Sequence, residues 1–199
     1  MRPQDLNERK VFIQGGAGGV GTAAIQLFNH WGCEVSSTCS GINVDLLHSL
    51  GAKKVINYES EVFQNTLEGY DVAYDLLGDS VLDDSIEECC KILKNNSSSH
   101  YITLTHPLMN TLDSKGLLLG APHAFFLRQK IKSAYRPINV HWSIYRPSLS
   151  GLQELTHLAE KEIIKPIIDS IYSLSDISEA HKKVATGHGS GKVVINNIL

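Results

Sequence analysis

Short runs of consecutive apolar residues alternate with longer stretches of helical periodicity through the first half of the chain. Val11-Phe12-Ile13 reads as a buried strand, and Ala23, Ala24, Ile25, Leu27 and Phe28 then recur at helical spacing up to Gly32. The same alternation repeats. Strands are predicted over Glu34–Cys39, Lys54–Asn57, Asp71–Asp75 and Tyr101–Thr105, with helices over 43–50, 63–67 and 81–93 between them and Gly51 closing the first of these three. Parallel neighbours need a helix-sized crossover, so this order predicts an α/β fold: a doubly wound parallel sheet with helices on both faces.

From residue 106 the pattern loosens. Pro107, Gly116, Gly120, Pro122, Pro137 and Pro147 predict a long broken excursion, holding one helix over 123–132 and a sixth strand over 140–144. The last fifty residues predict helices over 152–159 and 176–184 and strands over 166–171 and 192–195. These strands have no evident partner in the preceding sheet, and the expected division is 1–150 and 151–199.

The first apolar strand runs directly into Gly16-Ala17-Gly18-Gly19-Val20-Gly21, with a helix pattern directly behind it. Strand, GxGxxG and helix in that order form a Rossmann-type dinucleotide fingerprint. The glycines permit a sharp turn, close backbone approach to a pyrophosphate and tight helix–strand packing, while the helix N-terminus faces the anion with free NH groups.

Composition narrows the alternatives. The chain has 199 residues, 42% hydrophobic and 20% charged, with a net charge of -3, which suits one well-cored globular unit and gives no electrostatic reason to expect nucleic acid. No GxSxG elbow is present, which disfavours a hydrolase. Cys33, Cys39, Cys89 and Cys90 show no CxxC or metal-ligand spacing and read as reduced core thiols; His181 and His188 lack companions that would complete a zinc set, so no metal site is predicted. Basic residues (Arg128, Lys130, Lys132, Arg136, Arg146) interleave with aromatics (Phe125, Phe126, Tyr135, Trp142, Tyr145) in the excursion. That mixture suits a membrane-surface or single-stranded nucleic-acid patch, while a solvated face backing a dimer edge is the plainer explanation.

At the end of the second strand, an NAD site usually carries an acid that binds the ribose hydroxyls, whereas here Cys39-Ser40-Gly41 stands. A hydroxyl without an acid leaves room for a 2'-phosphate, so NADPH is the expected cofactor. Ser40 and Tyr58 would be its donors, with Lys53 or Lys54 as nearby charge; Asp45 reads as a solvated helix residue.

Four motifs together carry a family likeness: Gly18-Gly-Val-Gly-Thr-Ala-Ala-Ile-Gln26, Gly51-Ala-Lys-Lys-Val-Ile-Asn-Tyr58, Tyr74-Asp-Leu-Leu-Gly78 and the closing Gly187-His-Gly-Ser-Gly-Lys-Val-Val-Ile195. They resemble the quinone oxidoreductase-like branch of the medium-chain dehydrogenase/reductases over nearly the whole chain. The resemblance implies a zinc-independent NADPH enzyme that reduces a quinone or enone. It implies a GroES-like barrel preceding the nucleotide domain, making this chain a C-terminal portion whose last strands return to that barrel. It also implies a mitochondrial location and a protein partner of the reticulon type; pairing of subunits through the sixth strand into a homodimer is common in such relatives and is left open by the sequence. Carried over by position, Gly16, Ala17, Gly18, Gly19, Val20 and Gly21 hold the pyrophosphate, Ser40 and Tyr58 face the 2'-phosphate, Leu76 and Leu104 line the cofactor path, and His188 and Lys192 close over it. Relatives often have Asn at Leu76, Gly at Asp79 and Arg at Ser190, and losing that Arg weakens the expected grip on NADPH. No general acid is named by the sequence; His106 is a loop histidine with some prospect of touching substrate.

Overall fold

The computed structural model describes residues 6–77, 82–104, 107–143 and 146–197. Six strands, β1 (Lys10–Gln14), β2 (Glu34–Cys39), β3 (Lys54–Asn57), β4 (Val72–Asp75), β5 (His100–Thr103) and β6 (Asn139–Trp142), form one sheet in the order β3-β2-β1-β4-β5-β6. Every pairing is parallel, so the chain leaves β1 toward one edge and then crosses back to build the other half beside it. The reversal falls between β1 and β4. Loops after those two strands diverge there and open a crevice at the carboxyl end of the sheet.

The pleat decides which residues meet which helices. Val11 and Ile13 point to one face, where they pack with Ile25 of α1 (Gly21–His30), Leu47 of α2 (Val44–Ser49), Val35 and Val72. Phe12 points to the other, against Phe63, Tyr70, Ala73 and Tyr101, beneath Ile86 and Ile92 of α3 (Leu82–Ile92). The Phe12 and Phe63 rings stack with centroids 4.6 Å apart. Phe12, Ile13 and Ile25 are fully buried, each contributing about 2 kcal/mol from removal of apolar surface from water.

Two polar devices tie β4 in place. At its start, Asp71 accepts from the Lys10 backbone NH (3.0 Å) and the Lys94 ammonium (2.6 Å). Burial pushes its carboxyl up, but the Lys94 and Lys10 hydrogen bonds and nearby Arg9 bring it below its ordinary value. At the end of β4, buried Asp75 accepts from the Tyr101 hydroxyl (2.7 Å), Ser85 (2.8 Å) and the Leu77 NH (3.0 Å). Burial and the Asp75 charge raise the Tyr101 hydroxyl far above its usual range, so it remains a donor.

The excursion expected after residue 106 is instead largely helical. α4 spans Pro107–Ala134 as two helical parts meeting at Gly116, whose φ of 69° makes the kink. Pro107 stands at the first helical position, where its missing NH costs nothing, and Pro122 lies within the second part; these residues punctuate a helix that the sequence reading broke up. β5 and β6 each begin one residue earlier than predicted. Thr105, His106, Ile144 and Tyr145 lie outside the described residues.

The C-terminal segment comprises α5 (Leu149–Glu160), β7 (Ile168–Ser173), α6 (Ile177–Ala185) and β8 (Lys192–Asn196). β7 and β8 pair with each other as a separate parallel two-stranded sheet, which is where the unpartnered strands go. The buried Gln26 side chain of α1 clamps this segment by donating to the Lys165 carbonyl (3.0 Å) and accepting from its NH (2.9 Å).

On the far side of the sheet, His100 Nδ1 and His141 Nε2 lie 3.0 Å apart across β5 and β6. Burial, then the His141 ring and Arg9, lower the His100 pKa from 6.5; burial, then Lys132 and Arg128, do the same for His141. Folding therefore favours neutral rings, and the unfolded chain takes up protons first as pH falls. The pair's contribution to stability is complete above pH 6.5 and is lost below it. Denaturant midpoints measured from pH 7 to pH 5 are expected to fall less steeply for His141→Gln than for the parent chain; equal slopes would contradict this account.

Candidate functional site

Bare backbone meets backbone where β1 ends. Gly15 has φ +83°, a conformation L side chains rarely adopt, and turns the chain off the strand. Its NH donates to Thr38 Oγ1 (3.0 Å), and the Gly16 NH donates to the Thr38 carbonyl (3.0 Å), so the loop is held to the end of β2. A Cβ on Gly16 would overlap Ser37 Oγ and press on Leu47, and one on Gly21 would strike the Gly15 and Gly16 backbone. Gly18 differs. A Cβ there would meet nothing closer than the Gly15 carbonyl at 3.7 Å, so its open side is available to a ligand. α1 starts immediately behind, with no acidic residue in its first turn and no side-chain cap at Val20, leaving the positive end of the helix facing the loop.

The C-terminal segment closes the loop from the other side. Gly191, also at φ +83°, donates to the Ala17 carbonyl (2.8 Å) and bridges to Gly18 as a parallel pair. The Lys192 stem lies over Gly19, filling the position a Cβ would take. Ser190 donates through its hydroxyl to Asn43 Oδ1, its NH donates to Asp169 (2.9 Å), and Asn43 in turn donates to Ser40 Oγ (3.2 Å). A hydroxyl–amide chain thus links the end of β2 to the last loop of the protein.

Between these walls lies a recess of about 250 Å³ lined by Gly15, Ala17, Gly18, Ser40, Asn43, Tyr58, Leu76, Leu77 and the 187–189 turn with His188. It shares Gly15, Thr38, Tyr58 and Leu77 with a second recess of about 410 Å³, which extends over Val62, Phe63 and Gln64. The structure therefore gathers Ala17, Gly18, Ser40, Tyr58, Leu76 and His188 around one space. Gly16 and Gly21 are packing positions behind it, Gly19 lies under Lys192, and Val20 is half exposed at the helix start. Leu104 follows β5, with its NH on the Asp75 carbonyl (3.4 Å), and does not line the recess.

The lysines expected beside Ser40 are elsewhere. Lys53 pairs with Glu34 at 2.6 Å and Lys54 donates to the Thr66 carbonyl (2.7 Å), because both precede or open β3 at the amino end of the sheet, a strand's length from the recess. Asp45 is exposed on the first turn of α2, as the sequence reading has it. An acid does reach this corner, however. Glu59, carried back by the turn after β3, accepts from the Gly41 NH (2.8 Å), and burial followed by its charge pushes the Cys39 thiol up to about 11. Nothing in the local motif at residues 39–41 signals Glu59, since β3 must first be laid beside β2. Gly15, Thr38, Asn43 and Leu77 were missed for the same reason: the fingerprint spacing marks the loop and not the neighbours it rests on.

The sequence profile of zinc-binding dehydrogenases matches residues 50–195. The chain belongs to that family. Among relatives, the Danio rerio mitochondrial NAD(P)H oxidoreductase RTN4IP1 is 30% identical over 191 residues, covering 95% of this chain and 49% of its own. The Drosophila melanogaster protein of the same name is 32% identical, covering 94% of this chain and 45% of its own. A solved quinone oxidoreductase from Coxiella burnetii is 26% identical with a TM-score of 0.74, covering 98% of this chain and 55% of that one. The chain thus spans about half the length of the relatives it matches. The family's name implies zinc; among the described residues no group of three or more His, Cys, Asp or Glu is placed to hold a metal ion. Burial raises the thiols above their ordinary value, Cys33 to about 11, Cys90 to about 12 and Cys89 by a wide margin.

Gly16 and Gly18 make opposite predictions for stability. Gly16→Ala is expected to cost about 1–3 kcal/mol through overpacking against Ser37 and Leu47, and Gly18→Ala to stay within about 0.5 kcal/mol of the parent. Urea unfolding of both variants measures the difference, and equal destabilisation would contradict the packing described.

Proposed function

We propose that the recess at the β1/β4 switch point binds a nicotinamide dinucleotide, and that the protein to which this chain corresponds is an NADPH-dependent oxidoreductase reducing a quinone or activated carbonyl. The observation that carries this reading is the Gly15–Val20 loop. Bare main chain opens on the recess at Gly18, the α1 N-terminus stands behind it, and the Lys192 stem lies over the adjacent Gly19. Main-chain NH groups and the helix end would hold the pyrophosphate, and the Lys192 ammonium over Gly19 would add positive charge beside the loop. Ser40 and Tyr58 would meet the ribose end. Val62, Phe63 and Leu77 give the second recess apolar walls suited to the flat face of a base. Leu76 would lie along the path toward the nicotinamide, with Leu104 outside the recess and farther along the sheet. When bound, the cofactor supplies the hydride, and the protein's part is to orient it and exclude water.

Hydroxyls and amides, without a guanidinium or ammonium, form the ribose end, and Glu59 stands at the same corner. NADPH is therefore expected to be favoured over NADH by less than about tenfold, because discrimination lacks the charge-assisted hydrogen bonds that favour a 2'-phosphate. Removing the acid shifts the balance: Glu59→Gln is expected to tighten NADPH more than NADH, read as the ratio of the two dissociation constants. A ratio unmoved by that change would remove Glu59 from the account.

The C-terminal segment leaves Leu149, Leu152, Ile171, Leu174 and Val184 mostly exposed. Those exposed apolar side chains, Leu152, Ile171, Leu174 and Val184 within residues 151–199, support dividing the protein after residue 150, with that segment packing onto a barrel domain such as the resemblance implies. A mitochondrial location, which the names of the relatives carry, a homodimer and a reticulon-type partner belong to the same proposal. For the 199-residue chain by itself, the uncovered face favours a second reading, a nucleotide-binding and protein-interaction module without turnover. Fluorescence titration with NADPH tests the shared premise, and Gly18→Asp is expected to abolish binding by placing a side chain and negative charge at the pyrophosphate. Retained binding in that variant would overturn the site; NADPH oxidation with a quinone panel separates enzyme from module.

A further inference from the structure

The basic, aromatic stretch singled out in the sequence has no part in the dinucleotide recess. Between Asp113 and Glu154 the chain contains no acidic residue, yet it carries Lys115, Arg128, Lys130, Lys132, Arg136 and Arg146 within a protein of net charge -3. The second part of α4 orders this charge. Ala124 is buried and Leu127 and Ile131 are partly buried, fixing the inner side of the helix. At 100° per residue the opposite side presents Phe125, Phe126 and Gln129, flanked by Lys130 on one side and by Arg128 and Lys132 on the other. Phe125 and Phe126 are 57% and 71% exposed, with their rings edge to face at 6.1 Å. Beside them, where α4 meets β6, a groove of about 540 Å³ is lined by Gln129, Lys132, Ser133, Arg136 and His141.

We propose that this face of α4 docks the protein on a membrane surface containing anionic lipid, with Phe125 and Phe126 entering the headgroup boundary and the flanking cations meeting lipid phosphates. Two protruding aromatic rings flanked by Lys130 and Lys132, in a stretch of chain without acidic residues, match such a surface, which offers an apolar layer beneath negative headgroups; the Arg128 guanidinium lies over the Trp142 ring at 5.8 Å, at the margin of the face. A second copy of the chain is a poorer occupant. An isologous contact sets a patch against itself, so the cations of one copy would meet those of the other, with no acidic residue between Asp113 and Glu154 to pair with them. Among the described residues no helix is long and apolar enough to cross a membrane. The inference is independent of the nucleotide site.

Co-sedimentation with vesicles of phosphatidylcholine alone, or of phosphatidylcholine with phosphatidylglycerol, tests it at low and high salt. The chain is expected to bind only the anionic vesicles and to be released by salt. Arg128→Glu with Lys130→Glu is expected to reduce bound protein by about tenfold or more, and Phe125→Ala with Phe126→Ala to lose binding while circular dichroism and melting remain those of the parent. A Phe126→Trp variant adds a positional readout, with its emission shifting to the blue on anionic vesicles beyond any change in the parent. Equal binding to both vesicle types, or undiminished binding by the charge-reversed variant, would overturn the proposal. So would a finding by analytical ultracentrifugation that the phenylalanine variant dissociates a dimer that binds no vesicles.

Discussion

The fold's main constraint is the closeness of three backbone segments at the end of β1. Gly15 and Gly16 lie on Thr38 of β2, α1 begins against Gly15 and Gly16 through Gly21, and Gly191 pairs with Ala17 and Gly18. Side chains at Gly16 or Gly21 would push these segments apart, and the recess would lose its floor. The open side of Gly18 has meaning only because its neighbours are so tightly packed. A loop with space on every side would be an ordinary turn.

Much of this was legible in the sequence, and the limits follow from which interactions are local. Val11-Phe12-Ile13 before GxGxxG specifies strand, turn and helix within twenty residues, and the following alternation of elements fixes a parallel sheet, so element types and most boundaries agree. Pro107, Gly116 and Pro122 misled because the same residue types that end helices also start and kink them; the packing of Ile131 against the cluster of Tyr101, Val140 and Trp142, which sets the inner side of α4, lies outside the local pattern. Lys53 and Lys54 misled differently. They are near the ribose corner in sequence order, but parallel strands place the start of β3 beside the start of β2, so nearness in the chain put them at the wrong end of the sheet.

Glu59 and Asn43 show the converse. Neither belongs to the fingerprint, yet the turn after β3 and the first residues after β2 converge on Ser40, and Ser190 reaches Asn43 from 147 positions away. A ribose end assembled from three separated segments cannot be read from any one of them. Its electrostatic character follows from the assembly: a carboxylate faces neutral hydroxyls and an amide, and Lys53 and Lys54 are held elsewhere by Glu34 and by the Thr66 carbonyl.

Asp75 connects the sheet to the site through chemistry that asks for no cation. Its buried carboxylate is satisfied by two hydroxyls and a backbone NH, so it avoids the desolvation penalty of a lone charge while fixing the turn that carries Leu76 and Leu77 into the recess. Ser85 bonds both Asp75 and Gln14, and Cys89 donates to the same Gln14 carbonyl, so the ends of β1 and β4 and the inner side of α3 share one polar cluster. The reversal of strand order opens the crevice, and this cluster keeps its two sides at a fixed separation. The leucine wall is therefore fixed from α3 and β5, while the open glycine is fixed from β2 and from Gly191, and the two sets of hydrogen bonds meet at the end of β1 where Gln14 runs into Gly15.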